Sequence, residues 1–140
     1  MEGRRIKITA GDQQVTAVLN GSHTSDLLWD ALPIEASGST WGDEIYLRIP
    51  VDAEEDDAQE VVEMGAVGYW PPGQALCLFF GRTPASVGDE IRPASAVNVL
   101  GAIEGDPTVL KRVASGARVV VEQRGVTGGK TGLAWDSPTS

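Results

Sequence analysis

The chain has 140 residues, with 20 acidic and 11 basic side chains and a formal net charge of −9. This length corresponds to one domain. The acidic surface argues against nucleic-acid partners and anionic membranes, because both carry negative charge. One cysteine cannot form an internal disulfide, and a single cysteine with a single histidine cannot make a structural zinc site. No nucleotide-binding or nucleophile-elbow motif is present, so we expect no metal and no cofactor.

Alternation of apolar and polar residues predicts the first two strands, around residues 5–9 and 15–20. Gly11 and Asp12 lie between them and are typical of a tight hairpin turn. No apolar run of signal-peptide length follows the N-terminal arginines, and no stretch is long enough to cross a bilayer. We therefore expect a soluble, cytoplasmic protein.

A short helix is predicted next, over residues 26–32. Thr24 or Ser25 is expected to cap its N-terminus, and Pro33 is expected to end it. His23, directly before the cap, is expected to lie in a turn.

The remainder of the chain is predicted to be mostly strand. The predicted strands are residues 44–49, 75–80, 96–103 and 117–123, of which the apolar segment 75–80 is expected to be central. A second short helix is predicted with Asp106 as its cap, Pro107 in its first turn and Gly116 at its end. Many strands with two short helices indicate an all-β domain, either a barrel or a sandwich.

Two segments differ from this pattern. Residues 52–60 are strongly acidic but lack the central glycine of a calcium-binding loop, so we expect a solvated loop. Residues 125–140 have little periodicity and are expected to form a flexible tail. Trp135 is the exception, because an exposed tryptophan in a tail often docks against another surface. The predicted organisation is a domain over residues 1–124 followed by this tail.

Aromatic residues concentrate in two segments, residues 40–46 and 68–84, which hold both tyrosines, both phenylalanines and two of the four tryptophans. Aromatic side chains on proline-rich loops suit a pocket for a small molecule or a short peptide. The candidate ligand-binding residues are Trp41, Glu44, Tyr46, Tyr69, Trp70, Phe80 and Arg82. Arg82 is expected at the pocket mouth, where a guanidinium could hold a carboxylate or a carbonyl. In the alternative interpretation, the aromatic residues close one end of the barrel and Arg82 pairs with a surface acid.

Cys77 lies within an apolar segment, which predicts a buried core residue. A nucleophilic role would require exposure and a nearby base. Glu44 and His23 are the candidate acid–base residues if the protein is an enzyme.

Four segments resemble a family of small prokaryotic proteins of unassigned function with a cyclophilin-like fold. They are residues 32–34, 40–46, 67–84 and 92–101, in the same order, within a match over residues 4–124. The resemblance implies a closed antiparallel β-barrel of about eight strands, capped by short helices.

The resemblance leaves the function open, because one fold hosts many functions. The first hypothesis is a ligand-binding barrel without established catalysis. The second is a peptidyl-prolyl isomerase, of whose Phe-His-Arg signature this sequence has only Phe80-Gly81-Arg82. The third is a small-molecule enzyme that uses Glu44 or His23. A homodimer formed through open strand edges or through the aromatic residues near Trp70 is a further alternative.

Overall fold

The computed structural model describes residues 4–124, so the predicted tail and Trp135 lie outside the described residues. The strands are β1 (Arg5–Ala10), β2 (Gln13–Leu19), β3 (Ile34–Ser37), β4 (Ser39–Thr40), β5 (Glu44–Arg48), β6 (Ala66–Trp70), β7 (Ala75–Phe79), β8 (Asn98–Glu104) and β9 (Arg118–Gln123). One α-helix, α1, spans His23–Ala31, and two 3₁₀ helices span Pro71–Gly73 and Pro107–Arg112. Among these residues, no helix is long and apolar enough to cross a membrane.

The nine strands found within residues 4–124 form one antiparallel sheet in the order β3-β9-β1-β2-β8-β6-β7-β5-β4. The two edge strands, β3 and β4, are consecutive in the chain and only Gly38 separates them. The backbone N–H of Gly38 donates to the carbonyl of Ala117, and its carbonyl accepts from Gly116. The sheet is therefore rolled into a nearly closed barrel, which confirms the predicted all-β fold.

The barrel interior holds the main core, to which alternate residues of nearly every strand contribute. On β5, β6 and β7 the inward residues are Ile45, Leu47, Val67, Tyr69, Leu76 and Leu78. The residues between them point to the opposite face of the sheet. There they join a second, smaller cluster made of Val62, Ala66, Ala75, Cys77, Phe79, Ile91 and Val97. The barrel thus has apolar packing on both sides of this three-stranded region.

Helix α1 begins three residues earlier than predicted. Ser22 is its N-cap, and the Ser22 hydroxyl accepts a hydrogen bond from the backbone of Ser25. The expected caps, Thr24 and Ser25, are buried within the helix. His23 occupies the first helical turn and is exposed. Three hydroxyl-bearing residues close together offered several caps, and tertiary contacts select between them.

The second predicted helix is a 3₁₀ helix that starts where expected. The Asp106 carboxylate accepts from the backbone N–H of Thr108 at 2.9 Å. The helix ends at Arg112, with Val113 as its C-cap, which is before the predicted Gly116. Gly116 instead donates its backbone N–H to Gly38 at the barrel closure.

The acidic residues 52–60 are mostly exposed, and buried Asn98 connects them to the barrel. The Asn98 side-chain amide donates to the carbonyl of Glu54 at 2.9 Å and to the hydroxyl of Thr24 at 3.2 Å. Its side-chain oxygen accepts from the backbone of Asp56 at 2.8 Å. One buried amide thus joins the acidic segment, helix α1 and strand β8.

Candidate functional site

A cavity of about 250 Å³ opens on the outer face of strands β5, β6 and β7. Three aromatic residues line it, namely Trp41, Tyr46 and Trp70, together with the polar groups of Glu44 and Cys77. Pro93, Ala94 and Val97, from the segment that precedes β8, complete its lining. The cavity therefore lies between the sheet and a segment that covers its outer face.

Strand register explains why these side chains meet. Tyr46 on β5 is paired with Cys77 on β7, and Cys77 is paired with Gly68 on β6, so the three positions share one face. Glu44 lies two residues before Tyr46 and points to the same face. At Gly68 a Cβ atom would lie 3.0 Å from Cγ2 of Val97. The absence of a side chain there allows the covering segment to approach the sheet.

Two sets of contacts hold the walls of the cavity. Trp41 lies in the tight connection between β4 and β5, where its backbone N–H donates to the carbonyl of Glu44 at 2.9 Å. The indole N–H of Trp70 donates to the hydroxyl of Ser95 at 2.6 Å. Isolated bridges between Val62 and Ile91 and between Gln59 and Val97 attach the two ends of the covering segment. Hydrogen bonds therefore fix both the β4–β5 connection and the covering segment.

Glu44 is the unusual residue of this site. Its side chain is only 5% exposed, and no group among residues 4–124 donates a hydrogen bond to its Oε1. Burial raises the pKa of Glu44 to about 7, while the neighbouring Cys77 thiol acts in the opposite direction. Glu44 thus lines the cavity with a raised pKa and with one buried oxygen that lacks a donor among residues 4–124.

Cys77 is buried, as the sequence predicts. Burial raises the pKa of its thiol well above the ordinary value, and the nearby charge of Glu44 raises this pKa further. The Sγ atom also lies 3.9 Å from the carbonyl oxygen of Ala75. A thiol in these surroundings stays protonated and is not an activated nucleophile.

Two of the predicted site residues lie in the barrel interior. Tyr69 is fully buried there, and its hydroxyl donates to the carbonyl of Val51 at 2.7 Å and accepts from the backbone of Ala53 at 3.2 Å. Phe80 is 2% exposed and belongs to the main core. Tyr69 cannot share a face with Trp70, because successive residues of a strand point to opposite faces.

Arg82 does not line the cavity either. Its guanidinium donates to the carbonyl of Ser86 at 3.3 Å, and its side chain is exposed. Strand β7 ends at Phe79, so its alternation of faces does not extend to Arg82. Phe80 lies in the core and Arg82 at the surface, so the two residues of the partial isomerase signature do not form one site.

His23 lines a separate cleft of about 450 Å³ together with Thr24, Leu27 and residues 52–56 of the acidic segment. The two acid–base candidates, His23 and Glu44, therefore do not converge on one cavity. Sequence inspection missed Cys77, Pro93, Ala94 and Val97 as lining residues. The only signal for the last three was their place in the segment 92–101 that carries the family resemblance.

Residues 4–124 form an antiparallel β-barrel with an aromatic cavity on its outer face. The sequence profile of the family described as Cyclophilin-like matches residues 4–122, so the chain belongs to the cyclophilin-like family. This confirms the resemblance seen in the sequence.

One solved structure supports the assignment. The solution structure of a hypothetical protein from Archaeoglobus fulgidus is similar with a TM-score of 0.75 and 44% sequence identity. The similarity covers 87% of this chain and 95% of that chain. No curated protein matches the chain.

Proposed function

We propose that this protein binds a small molecule in the outer-face cavity. The observation that carries the proposal is the Glu44 carboxyl group, which lines the cavity, is 5% exposed and has an oxygen with no donor among residues 4–124. A buried polar atom without a partner destabilises a fold by about 1–3 kcal/mol. A ligand that donates a hydrogen bond to this oxygen would remove that penalty.

The dimensions of the cavity favour a small molecule over a peptide. Its volume of about 250 Å³ is close to the lower end of ordinary ligand pockets. Its walls are three strands, a tight turn and a segment fixed by the Trp70–Ser95 hydrogen bond. A ligand that enters preformed walls loses little affinity to ordering of the protein.

A fragment screen by thermal shift tests this proposal. Fragments that bind are expected to raise the melting temperature of the wild-type chain, because ligand bound only to the folded state stabilises it. Trp41→Ala should abolish these shifts, since it removes one wall of the cavity. Trp29→Ala is the matched control, because Trp29 lies on α1 beside Arg4 and outside the cavity. Hits that survive Trp41→Ala, or that are lost equally in both variants, would contradict the proposal.

A second candidate function is acid–base catalysis by Glu44. It is favoured by the pKa of about 7, because a general acid or base works best when its pKa is close to the working pH. Carboxyl ¹³C NMR of the wild-type chain, with Glu44→Gln to assign the signal, measures this pKa directly. A value in the ordinary range near 4.5 would remove the candidate.

A further inference from the structure

We infer that the ligand of this cavity is a small organic cation with at least one N–H group, a primary or secondary ammonium on a compact apolar body. The inference rests on the proposed function and adds the chemical class of the ligand. Its basis is the combination of one buried carboxyl group with three aromatic side chains and no basic lining residue.

The charges of the lining residues favour a cation. Within the described part of the chain, no Lys, Arg or His lines the cavity. Its titratable groups are Glu44 and Tyr46 on β5 and Cys77 on β7, and the covering segment contributes none. Asp43, next to Glu44, forms its ion pair outside the cavity with Lys111 at 3.7 Å. Any charge on the cavity wall is therefore negative, and a buried negative charge requires a positive partner.

The aromatic lining points in the same direction. Trp41, Tyr46 and Trp70 surround the space next to Glu44. The faces of aromatic rings attract cations, and tryptophan is the strongest of them. An apolar body would pack against the same rings, so both parts of an alkyl- or arylammonium find a complementary surface.

The unpartnered oxygen distinguishes between types of cation. Oε1 of Glu44 lacks a donor from the described residues. A primary or secondary ammonium supplies an N–H to this oxygen, whereas a quaternary ammonium has none and would leave the oxygen unpaired. An alcohol donates a hydrogen bond but does not neutralise the charge. An anion would be repelled by the ionised carboxylate.

Binding of four matched probes to the full chain, measured by calorimetry at pH 7.5, tests the inference. The probes are benzylammonium, benzyltrimethylammonium, benzyl alcohol and benzoate, which share one aromatic body. Benzylammonium is expected to bind about tenfold or more tightly than each of the others, by analogy with other charge-assisted hydrogen bonds. Methylammonium serves as a smaller probe in case the ring is too large for the cavity.

Two variants locate the effect. Glu44→Gln keeps the shape of the side chain and is expected to weaken benzylammonium about tenfold while it changes benzyl alcohol about threefold or less. Glu122→Gln is the control, because Glu122 is a half-buried residue of β9 that lies outside the cavity and pairs with Lys7. If Glu44→Gln does not fold, Trp41→Leu provides the second variant, and it should weaken benzylammonium more than benzyl alcohol.

The pH dependence gives an independent measurement. Glu44 must be ionised to pair with the ammonium, so the affinity of the wild type for benzylammonium should fall about tenfold from pH 8 to pH 6. The affinity of Glu44→Gln should change little over this range. Cys77 stays protonated throughout, because the pKa of its thiol is raised.

Three outcomes would overturn the inference. They are tighter binding of benzyl alcohol or benzoate than of benzylammonium, benzylammonium affinity unchanged in Glu44→Gln, and no binding of either benzylammonium or methylammonium at millimolar concentration. Neutral fragments whose binding is lost in Trp41→Ala would still support the proposed function. Failure of the ligand class can thus be distinguished from failure of the binding site.

Discussion

The barrel interior and the outer-face cavity both bury polar side chains, but the buried groups differ in how fully they are hydrogen-bonded. In and around the barrel, the Tyr69 hydroxyl makes two hydrogen bonds and the Asn98 amide makes three. In the cavity, Glu44 is almost as deeply buried and has an oxygen without a donor among residues 4–124. Buried polar groups in folded proteins are almost always paired.

Tyr69 and Asn98 support the fold through their hydrogen bonds, whereas the fold alone does not explain why Glu44 is buried. Paired groups such as Tyr69 and Asn98 connect segments that are distant in sequence, so their bonds stabilise the native state. Glu44 weakens the native state when it is ionised, because burial disfavours its charge. Its place in a cavity lined by aromatic rings is what motivates the proposed ligand site.

The largest loss of stability is expected at Gly101, where strand β8 packs directly against the backbone of β2. Gly101→Ala would place a Cβ atom 2.0 Å from the carbonyl oxygen of Val18 on β2. Because that atom belongs to the backbone of a paired strand, we expect a loss of about 3 kcal/mol or more in the free energy of unfolding, measured with denaturant. Gly88→Ala is the control, since no atom lies within 4 Å of its added Cβ and only its positive φ of 63° is unfavourable, by about 1 kcal/mol. Equal losses in the two variants would contradict this packing.

The next effect belongs to the cavity and depends on pH. The pKa of Glu44 is raised from 4.5 to about 7, so between these values the folded chain holds a proton that the unfolded chain has released. The free energy of unfolding contributed by Glu44 should therefore fall as pH rises through this window, by about 2.5 kcal/mol from pH 5 to pH 8.

Glu44→Gln is the reference for that measurement, because glutamine does not bind or release a proton in this pH range. The difference in unfolding free energy between wild type and variant, measured at pH 5, 6, 7 and 8, isolates the contribution of Glu44 from other titrations. A difference that stays constant with pH would contradict the raised pKa, and a difference that moves in favour of the wild type as pH rises would show that Glu44 is paired in the folded chain.

A smaller effect is expected from the amide that joins three segments. Asn98→Ala leaves Thr24 and the backbone groups of Glu54 and Asp56 without their partner. We expect a loss of about 2 kcal/mol in unfolding free energy, because some of these groups regain water. Asn20→Ala is the matched control, since Asn20 also bonds to backbone but is exposed, and it should lose about half as much. Similar losses in the two variants would argue against the special burial of Asn98.

The smallest effect compares the two tyrosines. Tyr69→Phe removes a buried hydroxyl that bonds to Val51 and Ala53, and it should lower the unfolding free energy by about 1 kcal/mol. Tyr46→Phe changes a side chain that is 37% exposed at the cavity, so a change within about 0.5 kcal/mol is expected. A larger loss in Tyr46→Phe than in Tyr69→Phe would contradict the difference in hydrogen bonding between the barrel interior and the cavity.

Much of the fold follows from local patterns. The hairpin of β1 and β2 around Gly11 and the Asp106 cap appear where alternation and turn chemistry place them. The apolar strand 75–79 is buried on both faces and lies between β6 and β5, so it is not an edge strand, although it is not at the centre of the strand order. The start of α1 does not follow from such patterns. Ser22, Thr24 and Ser25 are all acceptable caps, and the choice depends on the bond of Thr24 to Asn98, which is remote in sequence.

The candidate site could be predicted only in part. Trp41, Glu44, Tyr46 and Trp70 were expected and line the cavity. Composition located the aromatic segments but did not assign their faces, and the alternation within β6 puts Tyr69 and Trp70 on opposite sides of the sheet. It also gave no sign that residues 93–97 fold over β6 and β7.

The sequence by itself determined the class of this protein, since its alternating strands, turn residues and long family match all depend on residues close together in the chain. The tertiary structure decided the site. The pairing of β5 with β7 brought Glu44 beside Cys77, and Gly68 left room for Val97 and the covering segment. Burial then set the charge state of Glu44, because the solvent lost by a carboxyl group depends on what packs around it rather than on its neighbours in sequence.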